Sequence, residues 1–268
     1  MAITAGGGRR LLDALAASAG LLTVFPVRPR PIDATLARGM IMLAPLAVVP
    51  VAVITAALTW LARLAGLPAP AAGLIGVAAA ALGTRAFHLD GLSDTVDALG
   101  SGWDRQKALD IMKRGDIGPM GVLAMIIVVG LQAVSFGTLA DDLRGAVAVA
   151  MIICLSRSAL VICCARPVPP ARQGGLGALV AGSLGWPTVL IIVTVAIALG
   201  GVVVGPWGGT GIVGGLLAVA AALAVVAGLV RHAVRRFGGV TGDVMGASVE
   251  IGATVIAVLS LIDYRVLP

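Results

Sequence analysis

The sequence predicts an all-α fold: a polytopic integral-membrane helical bundle of about seven transmembrane helices, N-terminus in and C-terminus out, plus an N-terminal interfacial or re-entrant helix. Three observations carry this. Of 268 residues, 59% are hydrophobic and only 12% charged, and the mean hydropathy is +1.06. So few charged side chains cannot build the polar exterior of a soluble body, so lipid must cover much of it. Apolar runs near the ~20 residues needed to cross a bilayer recur along the chain. The basic residues, finally, fall mostly on one side of those runs, which identifies the cytoplasmic connections. The chain reads as a single membrane domain, 1–268.

In chain order, Arg9–Phe25 superficially resembles a signal peptide, with arginines ahead of an apolar stretch. Asp13 interrupts that stretch and "FPVRPRP" is a poor cleavage region, so it is expected to be a retained helix at, or dipping into, the cytoplasmic interface. The expected spans are 40–62, 70–87, 118–138, 145–165, 186–205, 209–230 and 243–262. Small residues, as in "GGTGIVGG", predict close helix–helix packing. Arg9, Arg10, Arg28, Arg30 and Arg38 precede the first span. Arg105, Lys107, Lys113 and Arg114 follow the second, Arg166 and Arg172 the fourth, and Arg231, Arg235 and Arg236 the sixth. The opposite side has Arg63, Arg144 and Arg265. This asymmetry places the long connections in the cytoplasm of a multi-pass protein of the inner (plasma) membrane. Cys154, Cys163 and Cys164 share one apolar run without metal-site spacing and read as small packed residues. The net charge of +6 is accounted for by the flanking arginines. Aromatics at 3% offer no stacking platform for bases, so no nucleic-acid partner is expected.

The unusual polar clusters all fall on the cytoplasmic side. In "HLDGLSDTVDALGSG", Asp90, Asp94 and Asp97 stand at i, i+4 and i+7. On a helix they lie within about 60° of one another around the axis. Three carboxylates on one face repel unless a cation sits among them. Oxygen donors suit Mg²⁺ or Mn²⁺, and Mg²⁺ commonly joins one or two carboxylates to substrate phosphates. The other reading is a solvated acidic face. His88 borders these acids and reads as a base, a ligand or polar trim. "KRGDIGPMG", Lys113 to Gly121, could hold phosphate oxygens at a helix start or be an ordinary membrane flank. Asp243 in "GGVTGDVMGASVEIG" is placed to cap the last span or to join the site. Glu250 lies about 10 Å deeper and needs a polar partner, for which Arg157 is the candidate. In "ARPVPPARQGGLGA", Arg166 and Arg172 suit bidentate phosphate contacts or act as positive-inside anchors.

"HLDGLSDTVDALGSG", "ALDIMKRGDIGPMGVLAM", "PPARQGGLGA" and "GGVTGDVMGASVEI", in that order, resemble the cobalamin synthase family, the adenosylcobinamide-GDP ribazoletransferases. The likeness runs from "LLTVFPVRPRP" nearly to the C-terminus. It implies a Mg²⁺-dependent membrane transferase that joins adenosylcobinamide-GDP to α-ribazole, or its 5′-phosphate, and releases GMP. Its chemistry would be attack of a ribose hydroxyl on a pyrophosphate phosphorus. The expected roles are Asp90, Asp94, Asp97 and Asp243 as metal ligands, with His88, Asp94 or Asp97 taking the hydroxyl proton. Lys113, Arg114, Arg166 and Arg172 would grip phosphates. One departure is visible: many members resemble M-K-D-S-R-I-G where this chain has Met112–Gly118 as "MKRGDIG", with acid and arginine interchanged. The individual roles of Arg114 and Asp116 therefore stay open, as do the number of metal ions and homo-oligomerisation.

Two other functions compete. A CDP-alcohol phosphotransferase resembles D-G-x-x-A-R with G-x-x-x-D-x-x-x-D downstream; this chain has "DGLSD" and no such spacing after it. A cation-coupled transporter would place its acids near mid-bilayer with access from both sides, whereas most acids here gather at one face.

Overall fold

A computed structural model describes residues 3–28 and 31–262, with side chains described from Gly8 onward except at 176. Arg30 and Arg265, counted above among the basic flanks, lie outside the described residues. The described chain is helical throughout, with two isolated β-bridges. Helix α1 (Ile3–Leu22) packs on α2 (Ala34–Met42) and α3 (Ala44–Ala47), followed by α4 (Val49–Leu64), α5 (Ala69–Gly83) and α6 (Phe87–Gly100). Next come α7 (Arg105–Ile111), α8 (Pro119–Leu139), α9 (Leu143–Ser156), α10 (Ala159–Cys163) and α11 (Gly175–Val180). Helix α12 (Trp186–Leu199) runs through a π-helical turn, Gly200–Val204, into α13 (Gly205–Gly208). Helices α14 (Gly211–Phe237) and α15 (Gly242–Leu259) close the bundle.

Five helical stretches among the described residues are long and apolar enough to cross a membrane: Pro119–Leu139, Leu143–Cys163, Trp186–Gly208, Gly211–Phe237 and Gly242–Leu259. The protein is thus a polytopic helical membrane protein, as the composition predicts, but the seven continuous spans are not all present. The expected 40–62 span is broken into α2, α3 and α4, because Pro45 and Pro50 open new helices after Leu43 and Val48. Proline has no N–H for the helical ladder and its ring clashes with the carbonyl four residues back. Helix α4, at 16 residues, falls short of span length.

The expected 70–87 span is also corrected. It stops at Gly83, and α6 leaves at 93° to α5, so the pair makes a sixth crossing only if both arms count. The acids therefore lie beyond a sharp bend, on a helix that packs alongside the first turns of α8 and α15. Arg85 and Ala86 form the bend at φ 56° and 54°, a left-handed conformation that L-residues avoid. The Arg85 guanidinium holds it by donating to the Gly20 and Leu21 carbonyls at the end of α1 (3.1 and 2.8 Å).

Small residues bring the spans together as expected. A Cβ at Gly73 would collide with the Ala133 carbonyl, and one at Gly137 with that of Ala69, so α5 and α8 run antiparallel in backbone contact. Gly205 and Gly215 play the same part between the end of α12–α13 and α14, where they abut Gly211 and Gly200. Cys154, Cys163 and Cys164 are buried free thiols, as expected. The starts of α8 and α15 and the end of α14 meet at one end of the bundle. The end of α8, the tail of α15 at Ser260 and the α13 turn at Gly208 meet at the other.

Candidate active site

Helix α6 lies over the N-terminal ends of α8 and α15, and glycine makes both contacts possible. A Cβ on Gly91 would stand 2.7 Å from the Asp243 carbonyl oxygen, and one on Gly246 would stand 3.2 Å from the His88 backbone. Gly118 and Gly121 admit the Asp97 carboxylate, which accepts from their N–H groups at 2.7 and 2.8 Å. Asp97 thereby pins the start of α8 through two charge-assisted bonds, a job that spacing alone did not reveal.

The α6 face carries Asp90, exposed, Asp94, 9% exposed, and Asp97, half-buried. Asp243 joins them from the first turn of α15. It does not cap that helix: Thr241 does, accepting from the Val244 N–H at 3.2 Å, which leaves Asp243 free for the site. Burial, and then the charges of Asp90, Asp243, Asp97 and Asp116, push the Asp94 carboxyl up to about 6. Asp116, whose role the sequence left open, is exposed on the loop that ends at Gly118, where Asp97 holds it.

Arg172 is the one phosphate-grip candidate that the structure ties directly to the acids. Its Nη2 lies 3.5 Å from Asp243 Oδ2. The loop carrying it is held by Ala171 N–H donating to the Val240 carbonyl and Val240 N–H to that of Pro169, each 2.9 Å. Arg172 Nη1 and Asp243 Oδ2 are buried without a hydrogen-bond partner. They line a cavity of about 170 Å³ with Phe87, Gly174, Gly175 and Thr241. Lys113 and Arg114 are exposed on the loop that also carries Asp116. Arg166 is exposed, and no contact joins its side chain to the acids among the described residues.

His88 is not with the acids. At ~100° per residue it lies about 120° around α6 from Asp94. Its ring is 1% exposed, edge-on to Phe87 with centroids 5.6 Å apart. It borders a small apolar gap with Ser18, Leu21, Met40 and Met245. Deeper in the bundle, Arg157 and Glu250 line one cavity but make no direct ion pair. Glu250 accepts from Gln132 Nε2 at 2.9 Å, whereas Arg157 Nη1 donates to the Ile153 carbonyl and to Ser156 Oγ. Gln132 was missed because an isolated amide in an apolar run carries no motif.

No group of three or more His, Cys, Asp or Glu side chains among the described residues is arranged to enclose a metal ion. The donor set nonetheless fits Mg²⁺, which needs only one or two protein carboxylates and completes its octahedron with water and phosphate oxygens. Two of Asp90, Asp94 and Asp243, whose charges repel and of which Asp243 has a buried oxygen without a hydrogen bond, supply that number.

Fold and site define a class: a polytopic helical membrane protein with a carboxylate cluster gathered from two helices at one end of its bundle and an arginine paired to it from a loop. The sequence profile of the cobalamin-5-phosphate synthase family matches residues 14–261, and the chain belongs to that family. It is 44% identical over 250 residues to an adenosylcobinamide-GDP ribazoletransferase of a Nocardioides species, covering 91% of this chain and 97% of that one. A protein of the same name from Frankia casuarinae is 36% identical over 252 residues, covering 87% and 88%. Another, from Rhizobium meliloti, is 33% identical over 264 residues, covering 94% and 96%. No solved structure matches the chain.

Proposed function

We propose that this protein is an adenosylcobinamide-GDP ribazoletransferase. It would join adenosylcobinamide-GDP to α-ribazole, or its 5′-phosphate, to give adenosylcobalamin or its 5′-phosphate plus GMP, at the carboxylate face of α6. The observation that carries the reading is the meeting of the acid-bearing helix α6 with Asp243 of α15, through Gly91, and of Asp243 with Arg172. A ribose hydroxyl attacks the cobinamide-side phosphorus. A new P–O bond forms, the bond to the bridging oxygen breaks, and GMP leaves with the electron pair. Mg²⁺ or Mn²⁺, held by one or two of Asp90, Asp94 and Asp243, would supply charge neutralisation for the pyrophosphate when bound.

The chain's own groups do the rest. Arg172, already balanced against Asp243, offers unpartnered donors to a phosphate in the adjoining cavity. Lys113 and Arg114 extend this grip from the neighbouring loop, with Arg166 further out. Asp97 positions α8 and the Lys113–Gly118 loop. The hydroxyl proton is assigned to a carboxylate of the cluster, because Asp243 lines the cavity beside Arg172 whereas the His88 ring is enclosed. The site faces the cytoplasm of the inner membrane, on the side of the basic connections.

Membranes containing the protein, given both substrates and Mg²⁺, are expected to release GMP and form the joined corrinoid. Asp94→Asn is expected to abolish turnover while the protein still inserts; near-normal activity in that variant removes Asp94 from the site. Neither phospholipid synthesis nor cation-coupled transport gains support from the family.

A further inference from the structure

We propose that Trp103 is the stacking platform for a flat nitrogen heterocycle of a phosphate-bearing substrate, a site that rests on the function proposed above. Trp103 follows α6 directly and is 87% exposed. Its backbone is fixed on both sides. Ser101 Oγ donates to the Ala98 carbonyl at 2.7 Å, Gly102 turns the chain at φ 87°, and Asp104 caps α7 by accepting from Lys107 N–H at 3.1 Å. The ring is therefore presented rather than left to wander.

One ring face is already engaged. The Arg236 guanidinium lies 5.2 Å from the Trp103 centroid and 5.8 Å from that of Phe237, held between the two rings. Arg236 is only 6% exposed, and its Nη2 is buried without a partner. An unpaired buried donor is costly, and an anionic oxygen beside Trp103 would satisfy it. Arg105 lies on the same side: its guanidinium packs against Gly238, and its Nη2 donates to the Ala171 carbonyl at 3.0 Å, next to Arg172. The helical rise from Asp94 to Ser101 and two further residues keep Trp103 within roughly 18 Å of Asp94. An extended nucleoside diphosphate covers a comparable length. An open aromatic face, cations at its edge and acids one nucleotide away match a heterocycle joined to phosphate.

The surroundings argue against a lipid anchor. Trp186 opens an apolar helix and Trp207 lies near the end of one, whereas Trp103 stands within "SGWDRQK", among exposed polar residues. The scarcity of aromatics that excludes a nucleic-acid tract is no obstacle to binding one base, for which one ring suffices.

The heterocycle could be the guanine of adenosylcobinamide-GDP or the benzimidazole of α-ribazole, and two arms separate them. Purified protein in detergent is titrated with GMP and, separately, with α-ribazole 5′-phosphate while tryptophan emission is read. One of the two is expected to quench emission, and Trp103→Phe to lose that component. Trp103→Ala is then expected to raise KM for the matching substrate about 5- to 100-fold, the range of one lost base stack, with the larger part of the effect in KM. Trp103→Phe, which keeps a ring, is expected to hold KM near the parent value. Unchanged KM for both substrates in Trp103→Ala, or equal quenching in Trp103→Phe and parent, overturns the proposal. Absence of GMP release from the parent protein overturns the transferase reading instead, and leaves the titration as an independent measure of Trp103.

Discussion

At the scale of single residues, most of the candidate site was legible and several roles were not. The i, i+4, i+7 spacing put Asp90, Asp94 and Asp97 on one helical face, and α6 has that face. Spacing could not show that Asp97 is committed to Gly118 and Gly121, or that Thr241 takes the cap and releases Asp243. Both depend on which backbone N–H groups arrive from elsewhere in the fold. The carboxyl of Asp94, raised to about 6, gives a pH prediction. Because its folded value exceeds the ordinary value of about 3.9, the folded state without a cation holds the proton more tightly than the unfolded chain. Its stability should therefore fall as pH rises from about 4 to about 6 and level off above. A divalent cation favours the ionised form and reverses the penalty. Mg²⁺ is expected to raise the thermal midpoint in detergent clearly at pH 7.5 and little at pH 5, and equal shifts at both pH values would contradict this.

At the scale of elements, helix types were readable from apolar runs, while breaks and bends were readable only in part. Pro45 and Pro50 were visible in the sequence and are where the 40–62 run breaks. The 93° turn after Gly83 carried no such mark, because it is held by Arg85 reaching the end of α1, more than sixty residues away. The contact between α6 and α15 depends on Gly91. Gly91→Ala would drive a methyl into the Asp243 backbone, an overpacking cost of about 1–3 kcal/mol. It is expected to lower turnover at least tenfold, since it separates Asp243 from Asp94. Gly130→Ala on α8, where a Cβ meets open space, is the control and should leave turnover at the parent rate.

At the scale of the whole molecule, the two bundle ends are chemically unlike. The acids, Arg172 and the Arg105–Trp103–Arg236 corner share one end, and the Arg63–Asp141 ion pair marks the other. Sidedness can be read with an impermeant maleimide, because the native cysteines are buried and silent. Lys107→Cys is expected to label only from the cytoplasmic side, and Arg144→Cys only from the outer side. The reverse pattern would invert the proposed orientation.

By itself the sequence determined the class of molecule, the helical spans in outline and the family, and it nominated the acids and arginines of the candidate site. Hydropathy, charge asymmetry and short motifs are local properties, and each is written within a few dozen consecutive residues. Only the tertiary structure decided that α6 turns sharply from α5 and that His88 faces away from the acids. It also decided that Arg172, rather than Arg166, meets Asp243, and that the Arg236 guanidinium lies over the exposed ring of Trp103. Those facts depend on contacts between segments far apart in the chain, where a glycine's missing Cβ or an arginine's reach sets the geometry.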